Sequence, residues 1–412
     1  MAYRLLMVSS DNFPVMRVDV DILFGAEVAS RGYTVDLIAQ SEAACDRSYR
    51  AAWAGGEAYV AATDLGQSLW RRVRKHFLSI AADLRLIPWM RSGRYDLLIV
   101  KDKFLSGVVG LFAAWAYGRP FVYWLSFPFP EAYLERARDG TARYPLLYWV
   151  RGHAFRVLLY WLLLPRADHI FVQSAQMKRD VAEAGIPPQM MTAIPMGIRP
   201  ALFSPREEGA TRRILSPHAP CIVYLGTLTR ARQLDFLLRV LVQVRAAIPT
   251  ALLYLVGRGD DPSDEEFLRS QIGLLGLDGA VIMTGQLPRA EALEFVAEAD
   301  VCVSPFRPSP VLNSTSPTKL VEYMAMGKVV VANDHPEQRL VIEESGAGLC
   351  VPYEERAFAE AILKLLRDRV LAQEMGRRGR PYVLAHRSYA IIGERVEAQL
   401  RRIIEHARGG RR

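Results

Sequence analysis

Short apolar runs alternate with helical stretches along nearly the whole chain, and this alternation constrains the fold more than any other feature. The first run, residues 5–8, is apolar at every position, as expected for a strand buried on both faces. A helical pattern over residues 18–30 follows and ends near Gly32. Because strands that alternate with helices form parallel sheets covered on both faces, the sequence predicts an α/β fold.

Two such series are expected, since 412 residues exceed one ordinary domain and suit two. The predicted N-terminal domain spans 1–200, a linker rich in proline spans 201–220, and the C-terminal domain spans 221–385. The remaining segment, 386–412, contains a predicted helix that we expect to pack back towards the N-terminal domain. The predicted strands are 5–8, 34–39, 97–100, 121–125, 170–173 and 192–194, then 221–225, 251–256, 281–284, 301–304, 329–332 and 348–351.

Three successive strands of the second series end in a glycine, at Gly226, Gly257 and Gly285. Ligands of open α/β sheets bind at the carboxyl ends of strands, and glycine lets the backbone approach a ligand closely. Each glycine alone is explained equally well by ordinary turn chemistry. The series of three indicates a binding site in the C-terminal half.

The segment 314–331 is the most informative part of the chain. It is predicted to form a loop, a helix with Ser316 as N-cap and Pro317 as first residue, a stop at Gly327 and a strand. Lys319 lies in the first turn, where the helix dipole disfavours a cation unless an anion is bound there. Glu322, one turn later, suits a ribose diol. The residues alone leave a phosphate site and a surface Lys–Glu pair equally open.

A resemblance favours the site. The segment 316–328, read as Ser-Pro-Thr-Lys-x-x-Glu-Tyr-Met-Ala-x-Gly-Lys, resembles the donor-site signature of family 4 retaining glycosyltransferases with the GT-B fold. The segments 224–228, 255–259 and 284–288 resemble the glycine loops of that family, in order and spacing. Further similarity lies at 11–17, 167–174, 194–198 and 299–305, so the resemblance covers nearly the whole chain.

The resemblance implies two Rossmann-like domains that face each other across a cleft, with the nucleotide sugar in the C-terminal one. It implies retention of the anomeric configuration, no metal and no cofactor beyond the nucleotide sugar as co-substrate. Glu322 would bind the ribose, Lys319 and Arg232 the diphosphate, and these three would be the catalytic residues. The full implied donor set is Gly226, Arg230, Arg232, Gly257, Gly285, Gln286, Leu287, Ser314, Thr315, Ser316, Pro317, Thr318, Lys319 and Glu322.

The chain departs from the family pattern at two places. Ser314 stands where many members carry a first glutamate that contacts the sugar, which leaves the donor sugar open. In the N-terminal domain, Trp124 and Ser126 replace a segment that carries a cleft histidine, and with Arg17 they are the candidate acceptor-binding residues. The pairs Asp19/Asp21 and Asp261/Asp264 are interpreted as solvated charges rather than as a metal motif.

The net charge of +8 and two basic aromatic segments, 69–78 and 144–164, raise the question of an anionic partner. They favour peripheral contact with an anionic membrane as much as they favour core helices with basic outer faces. No run reaches the length of a spanning helix, and no secretory signal is recognisable, so we expect a cytoplasmic protein, at the inner face of the plasma membrane if it meets lipid.

The expected reaction is transfer of a hexose from a nucleotide diphosphate sugar, UDP-linked above all, to a glycan or lipid-linked acceptor in polysaccharide assembly. A GT-B sugar-nucleotide epimerase is the first alternative, since it would use the same donor site. A nucleic-acid-binding protein is the second, motivated by charge alone, and no RNA- or DNA-binding signature supports it. Nucleic acid is therefore not expected as a partner.

Overall fold

The computed structural model describes residues 3–66, 68–205 and 213–409. The chain forms two compact units. Unit 1 combines the chain up to Pro195 with the C-terminal segment from Tyr389, and unit 2 spans Met196–Ser388. Part of the expected linker, 206–212, lies outside the described residues, and two apolar side chains of its remainder, Phe203 and Leu215, are buried in unit 2.

Unit 1 is built on an eight-stranded sheet of order β3-β4-β2-β1-β5-β6-β7-β8, in which only the edge strand β3 is antiparallel to its neighbour. Its strands are β1 (Tyr3–Phe13), β2 (Tyr33–Ser41), β3 (Tyr49–Trp53), β4 (Gly55–Ala61), β5 (Leu97–Lys101), β6 (Phe121–Leu125), β7 (His169–Val172) and β8 (Met191–Ala193). Its helices in this part of the chain are α1 (Val18–Asp21), α2 (Leu69–Asp83), α3 (Leu86–Arg91), α4 (Phe104–Ala116), α5 (Phe129–Arg138), α6 (Pro145–Val157), α7 (Leu164–Arg166) and α8 (Ala175–Glu183). Two π-helical segments, Leu23–Val28 and Leu158–Leu163, continue α1 and α6.

Unit 2 is built on a six-stranded parallel sheet of order β11-β10-β9-β12-β13-β14. Its strands are β9 (Cys221–Leu225), β10 (Leu252–Val256), β11 (Val281–Gly285), β12 (Val301–Ser304), β13 (Val330–Asn333) and β14 (Gly348–Val351). Its helices are α9 (Asp235–Ala247), α10 (Pro262–Leu274), α11 (Arg289–Glu298), α12 (Pro310–Asn313), α13 (Thr318–Ala325), α14 (Pro336–Ser345), α15 (Glu355–Arg367) and α16 (Arg369–His386). Short 3₁₀ turns occur at Pro188–Met190 in unit 1 and at Pro200–Leu202 and Arg230–Arg232 in unit 2.

The last helix, α17 (Tyr389–Gly409), packs in unit 1 against the π-helical segment Leu23–Val28. Its buried face, which includes Ile392, Val396 and Leu400, joins the core on one side of the sheet. Helices α2, α3, α4 and the segment that follows α6 cover the other side. None of the described helices is long and apolar enough to cross a bilayer.

The predicted strands are confirmed to within one or two residues for most of the chain, because strands buried on both faces are uniformly apolar. β1 is the exception, since it continues five residues past its predicted end. The β3–β4 hairpin was not predicted: each strand holds two alanines, β4 also holds two glycines, and Val60 is their one β-branched residue. The helix expected over 18–30 is a short α-helix continued by a π-helical segment.

In both sheets the strand order reverses between two neighbouring strands, and this switch point is where a ligand site is expected. In unit 2, β10 and β11 extend the sheet on one side of β9, whereas β12, β13 and β14 extend it on the other. In unit 1 the corresponding reversal lies between β1 and β5. Open α/β sheets bind ligands outside the carboxyl ends of such a pair of strands. The polar side chains that follow β9, β12, β1 and β5 are therefore the ones to inspect.

Candidate functional site

Lys319 in unit 2 is held at the carboxyl end of β9 by aromatic side chains. Its Nζ donates a hydrogen bond to the Tyr224 hydroxyl over 2.9 Å and lies 4.0 Å from the centroid of the same ring. The Phe306 ring, just after β12, lies 5.1 Å away. Two aromatic faces stabilise a cation by their quadrupoles without neutralising it, so Lys319 remains available to an anion.

Arg232 shares the aromatic support of Lys319. Its guanidinium lies 5.4 Å from the centroid of Phe306, the ring that also faces Lys319. Arg230, two residues earlier, faces the Phe267 ring instead, at 4.9 Å. Of the two arginines expected near the diphosphate, the structure therefore brings Arg232 to Lys319 and turns Arg230 to a different ring.

Neither cation forms an ion pair among the described residues, although the Glu322 carboxylate lies one turn from Lys319. Within the described ranges, no carboxylate lies at ion-pair distance from either Lys319 or Arg232. Burial, and secondarily the Arg232 guanidinium, lowers the pKa of Lys319 well below that of an exposed lysine, while the Glu322 carboxylate acts in the opposite direction. Two like charges that are held together without an ion-paired carboxylate create a site that an anion would stabilise.

Glu322, on the same face of α13 as Lys319, is paired with a residue that sequence reasoning missed. The Arg289 guanidinium, at the start of α11, donates to Glu322 Oε1 over 2.7 Å. Burial raises the pKa of Glu322, while Arg289 and Lys319 act in the opposite direction. No sequence signal joined Arg289 to Glu322, because the pair is 33 positions apart and on different helices.

Two of the strand-end glycines are required by close backbone packing. Gly226 has φ of +150°, and a Cβ there would lie 3.3 Å from Lys319 Nζ. Gly257 has φ of +141°, and a Cβ there would overlap the Gly226 carbonyl oxygen. Both positions therefore exclude larger residues beside Lys319. Gly285, the third, forms an isolated bridge with Gly257.

The hydroxyls before α13 are bonded to backbone groups. Ser314 is buried and donates to the Pro310 carbonyl over 3.3 Å, and Thr315 donates to the Leu312 carbonyl over 2.6 Å. Ser316 accepts from the Met196 backbone N–H over 2.9 Å, so the prediction that it caps α13 is wrong. The helix begins at Thr318, after Pro317, with no side-chain cap. Its end is as predicted, with Gly327 in the left-handed region at φ of +69°.

Gln286 and Leu287, two members of the implied donor set, follow β11. Gln286 is exposed, and Leu287 is half-buried and packs against the core that also holds α13.

The interpretation of Asp264 as a solvated charge is wrong. It is a buried carboxylate that accepts a hydrogen bond from the backbone N–H of Arg230 over 3.0 Å. It also accepts from the N–H of Asp261 in a capping box that begins α10.

Unit 1 holds a second polar cluster, at the carboxyl ends of β1 and β5. Arg17 pairs with Asp19 over 2.6 Å and lies 3.7 Å from Asp11. Fully buried Lys101 pairs with Asp11 over 2.6 Å and lies 3.5 Å from Asp102. Asp19 is completely buried, so its interpretation as a solvated charge is wrong; the nearby guanidinium compensates the carboxylate.

The remaining acceptor candidates join this cluster in different ways. Ser126 is buried, and both its hydroxyl and its backbone N–H donate to the Asp102 carboxylate. Trp124 is fully buried, with its ring 5.1 Å from Phe24 and 5.2 Å from Lys101 Nζ. It packs the core and is removed from the surface that an acceptor can reach. Sequence reasoning missed Lys101 and Asp102, whose partners lie on other strands.

Comparison with known proteins agrees with this architecture. Residues 23–202 match the family model described as Glycosyltransferase Family 4, and residues 219–368 match the one described as Glycosyl transferases group 1. The alpha-maltose-1-phosphate synthase of Mycolicibacterium smegmatis is 24% identical over 383 residues, which are 88% of this chain and 92% of that protein. The phosphatidyl-myo-inositol mannosyltransferase of the same organism is 30% identical over 220 residues, 52% of each chain.

A solved structure has the same fold over nearly its full length. The Anabaena protein HepE, in complex with UDP and glucose, superposes with a TM-score of 0.70 at 17% identity and covers 96% of this chain and 98% of that one. This likeness establishes two α/β units of the GT-B type. Since the two family models together span both units, the chain belongs to the family 4, group 1 glycosyltransferases.

Proposed function

We propose that the protein is a metal-independent, retaining glycosyltransferase that moves a hexose from a nucleotide diphosphate sugar to a glycan or lipid-linked acceptor. The observation that carries this proposal is the pair of cations Lys319 and Arg232, which share the Phe306 ring at the switch point of the unit 2 sheet and have no ion-paired carboxylate among the described residues. A diphosphate is the anion that fits two adjacent cations beside a carboxylate suited to ribose. A UDP-hexose is the proposed donor, a choice supported by the ligands that HepE holds.

The proposed reaction breaks the bond between the anomeric carbon and the diphosphate oxygen, and forms a bond from that carbon to an acceptor oxygen on the same face. The acceptor proton passes to the departing phosphate oxygen, so no side-chain nucleophile is required. Negative charge on the diphosphate grows as the bond breaks. Fixed cations at that point stabilise the transition state more than the bound donor, which assigns Lys319 and Arg232 their catalytic role.

Glu322 and its partner have a positioning role in this scheme. Glu322 accepts hydrogen bonds from the two ribose hydroxyls, and Arg289 keeps the carboxylate ionised and oriented from 2.7 Å. The strand-end glycines leave room for the diphosphate beside Lys319. Gln286 and Leu287 would border the base, and Ser314 and Thr315, whose hydroxyls can still accept hydrogen bonds, would face the sugar.

The acceptor belongs to unit 1 in this proposal. Arg17, Asp11 and Asp102 end strands of its sheet and suit the hydroxyls of a glycan. The name of one relative, a phosphatidyl-myo-inositol mannosyltransferase, supports a lipid-linked acceptor. Contact with an anionic membrane, from the cytoplasmic side, is part of the proposal, as is a role in polysaccharide assembly.

Product analysis tests the reaction. The protein is incubated with UDP-glucose and membrane lipid extract, and nuclear magnetic resonance reads the anomeric configuration of the new linkage. Retention, with release of UDP only when acceptor is present, supports the proposal. Inversion contradicts it, and a changed sugar in the absence of any acceptor would identify the epimerase alternative instead. Lys319→Ala is the matched inactive control.

A further inference from the structure

Large apolar side chains are exposed mainly in unit 1. Among the described residues, 18 of the 24 exposed large hydrophobic side chains belong to unit 1, and all eight aromatic ones do. Trp115, Trp161 and Trp70 are 81%, 78% and 76% exposed. Scattered single apolar residues need no explanation, but a concentration of this kind marks an interaction surface.

The helix that runs over residues 145–166, formed by α6, a π-helical segment and α7, is apolar on its outward face. Leu147, Val150, Ala154, Val157 and Trp161 are all exposed and follow one another at spacings of three and four residues. This spacing places them on a single stripe, about 21 Å long at 1.5 Å per residue. The opposite face, which includes Leu159 and Leu163, is buried in the unit 1 core. The helix therefore has apolar faces towards both the core and the solvent.

Helices α2 and α4 extend this stripe into a broad face. Lys103, just before α4, donates to Asp83 of α2 over 2.7 Å, and Phe104 of α4 stacks on Phe155 at 4.5 Å. The three helices thus contact one another and lie on the same side of the sheet, and each exposes large apolar residues on the side away from the core. The outer helical face is defined by Trp70, Phe77, Ile80, Leu105, Phe112, Trp115, Leu147, Trp149, Val150, Val157 and Trp161.

The charge of these helices indicates the partner. Residues 69–83, 104–116 and 145–166 contain seven arginines and lysines but a single carboxylate, Asp83, which is buried and paired with Lys103. Two of the cations, Arg74 and Arg156, contact carboxylates of other segments at 3.3 and 4.0 Å. The excess of positive charge still opposes pairing with a second copy of the same face. An anionic bilayer satisfies both the cations and the apolar stripe.

A groove beside α4 continues the face. It holds about 600 Å³ and is lined by Phe112, Trp115 and Phe121 together with Arg119, Arg166 and the carboxylate Asp168. Phe121 begins β6, so the groove lies at the amino ends of the strands, away from the carboxyl ends where the polar cluster of unit 1 sits. Its apolar walls suit the hydrocarbon of a lipid, and its two guanidinium groups outnumber the one carboxylate.

We propose that the outer helical face docks unit 1 on an anionic lipid bilayer, with its tryptophans at the interface and one lipid chain in the groove. Tryptophan suits the boundary between headgroups and hydrocarbon because one part of its ring system is polar and the rest is apolar. The inference deepens the membrane contact of the proposed function. Its test needs no nucleotide sugar, so its failure is distinguishable from failure of the donor site.

The test is flotation of the full chain with vesicles of phosphatidylcholine, alone or with 30 mol% phosphatidylglycerol, at low and high salt. We expect flotation with the anionic vesicles at low salt and a marked loss at high salt. Trp115→Ala combined with Trp161→Ala should weaken binding by about tenfold or more, since each removes a large apolar contact. The matched control, Leu274→Ala with Val370→Ala, removes equally exposed apolar side chains of unit 2 and should float like the wild type.

Folding of the variants is checked by their circular dichroism and their UDP affinity, which should equal those of the wild type. No flotation of folded wild-type protein with anionic vesicles at low salt would overturn the proposal. Flotation that the tryptophan variant retains would overturn the assignment of the face. A concentration-dependent dimer that the tryptophan variant abolishes, with no vesicle binding, would assign the face to a second copy instead.

Discussion

The two units share a fold plan but treat the charges at their switch points in opposite ways. In unit 1, three carboxylates and two cations are paired with one another, and the cluster carries one net negative charge. In unit 2, Lys319 and Arg232 share the Phe306 ring and have no carboxylate at ion-pair distance among the described residues. The difference teaches that unit 1 pairs its buried charges internally, whereas unit 2 leaves two cations without an ion-paired carboxylate, as our proposal of a bound diphosphate requires.

Their surfaces differ as well. Unit 1 exposes aromatic side chains on three helices, two of them basic, and every large apolar side chain exposed in the described part of unit 2 is aliphatic. A molecule that binds a charged nucleotide sugar with one unit and a lipid surface with the other would show this division. The predictions below test whether the two units have these different functions.

The largest expected effect is on the stability of the protein when each of the two lysines is replaced. Lys101→Met leaves Asp11 and Asp102 buried without their cation, and should lower the free energy of unfolding by about 3–5 kcal/mol. Lys319→Met removes a buried cation that has no acidic partner, and should leave stability unchanged or raise it. Urea unfolding of both variants measures the difference. Equal losses would mean that the two switch points do not differ in the way we describe.

Turnover should depend on Arg232 and much less on Arg230. Arg232→Ala should lower kcat about 10²–10³-fold, the usual effect of removing one group that stabilises developing negative charge. Arg230→Ala is the matched control, because its guanidinium faces Phe267 and not the lysine. Release of UDP from UDP-glucose, measured at saturating donor, reports both variants. Equal loss in the two would remove Arg232 from the catalytic role.

The pH dependence of nucleotide affinity follows from the two shifted groups. Burial lowers the pKa of Lys319 in the free protein, so affinity should fall as pH rises through that value, by up to about tenfold per unit. Burial raises the pKa of Glu322, so affinity should also fall on the acid side as the carboxyl becomes protonated. Lys319→Arg should remove only the alkaline loss, and Glu322→Gln only the acid loss. A wild-type affinity that is constant at alkaline pH would contradict the environment described for Lys319.

A smaller effect is expected at Arg289. Arg289→Gln removes the cation that holds Glu322 ionised, so nucleotide affinity should weaken about three- to tenfold and the acid loss should move to higher pH. Arg289→Lys should restore most of the affinity, because it keeps the charge. Titrations of the two variants from pH 5.5 to 8 make the comparison. An unchanged acid limb in Arg289→Gln would limit the role of Arg289 to surface pairing.

The sequence was most informative where structure is local. Most strands of both sheets, though not β3 and β4, and the Lys319–Glu322 spacing could be predicted, because burial pattern and helix periodicity act over a few residues. The Ser316 cap failed, since a backbone group 120 residues away takes its oxygen. Arg289, Lys101 and Asp102 were missed for the same reason: their roles depend on partners that only the folded sheet brings near. Trp124, a candidate acceptor-binding residue, is buried because β6 lies inside the sheet.

The most direct test of the central claim is isothermal titration of the purified protein with UDP, GDP and ADP, repeated with Lys319→Ala and Glu322→Ala. We expect one nucleotide, UDP, to bind selectively, and either substitution to weaken binding by about ten- to hundredfold, the effect of losing a hydrogen bond to a charged group. No binding of any nucleotide by the folded wild-type protein, or binding that both variants retain unchanged, would contradict the assignment of unit 2 as the donor site.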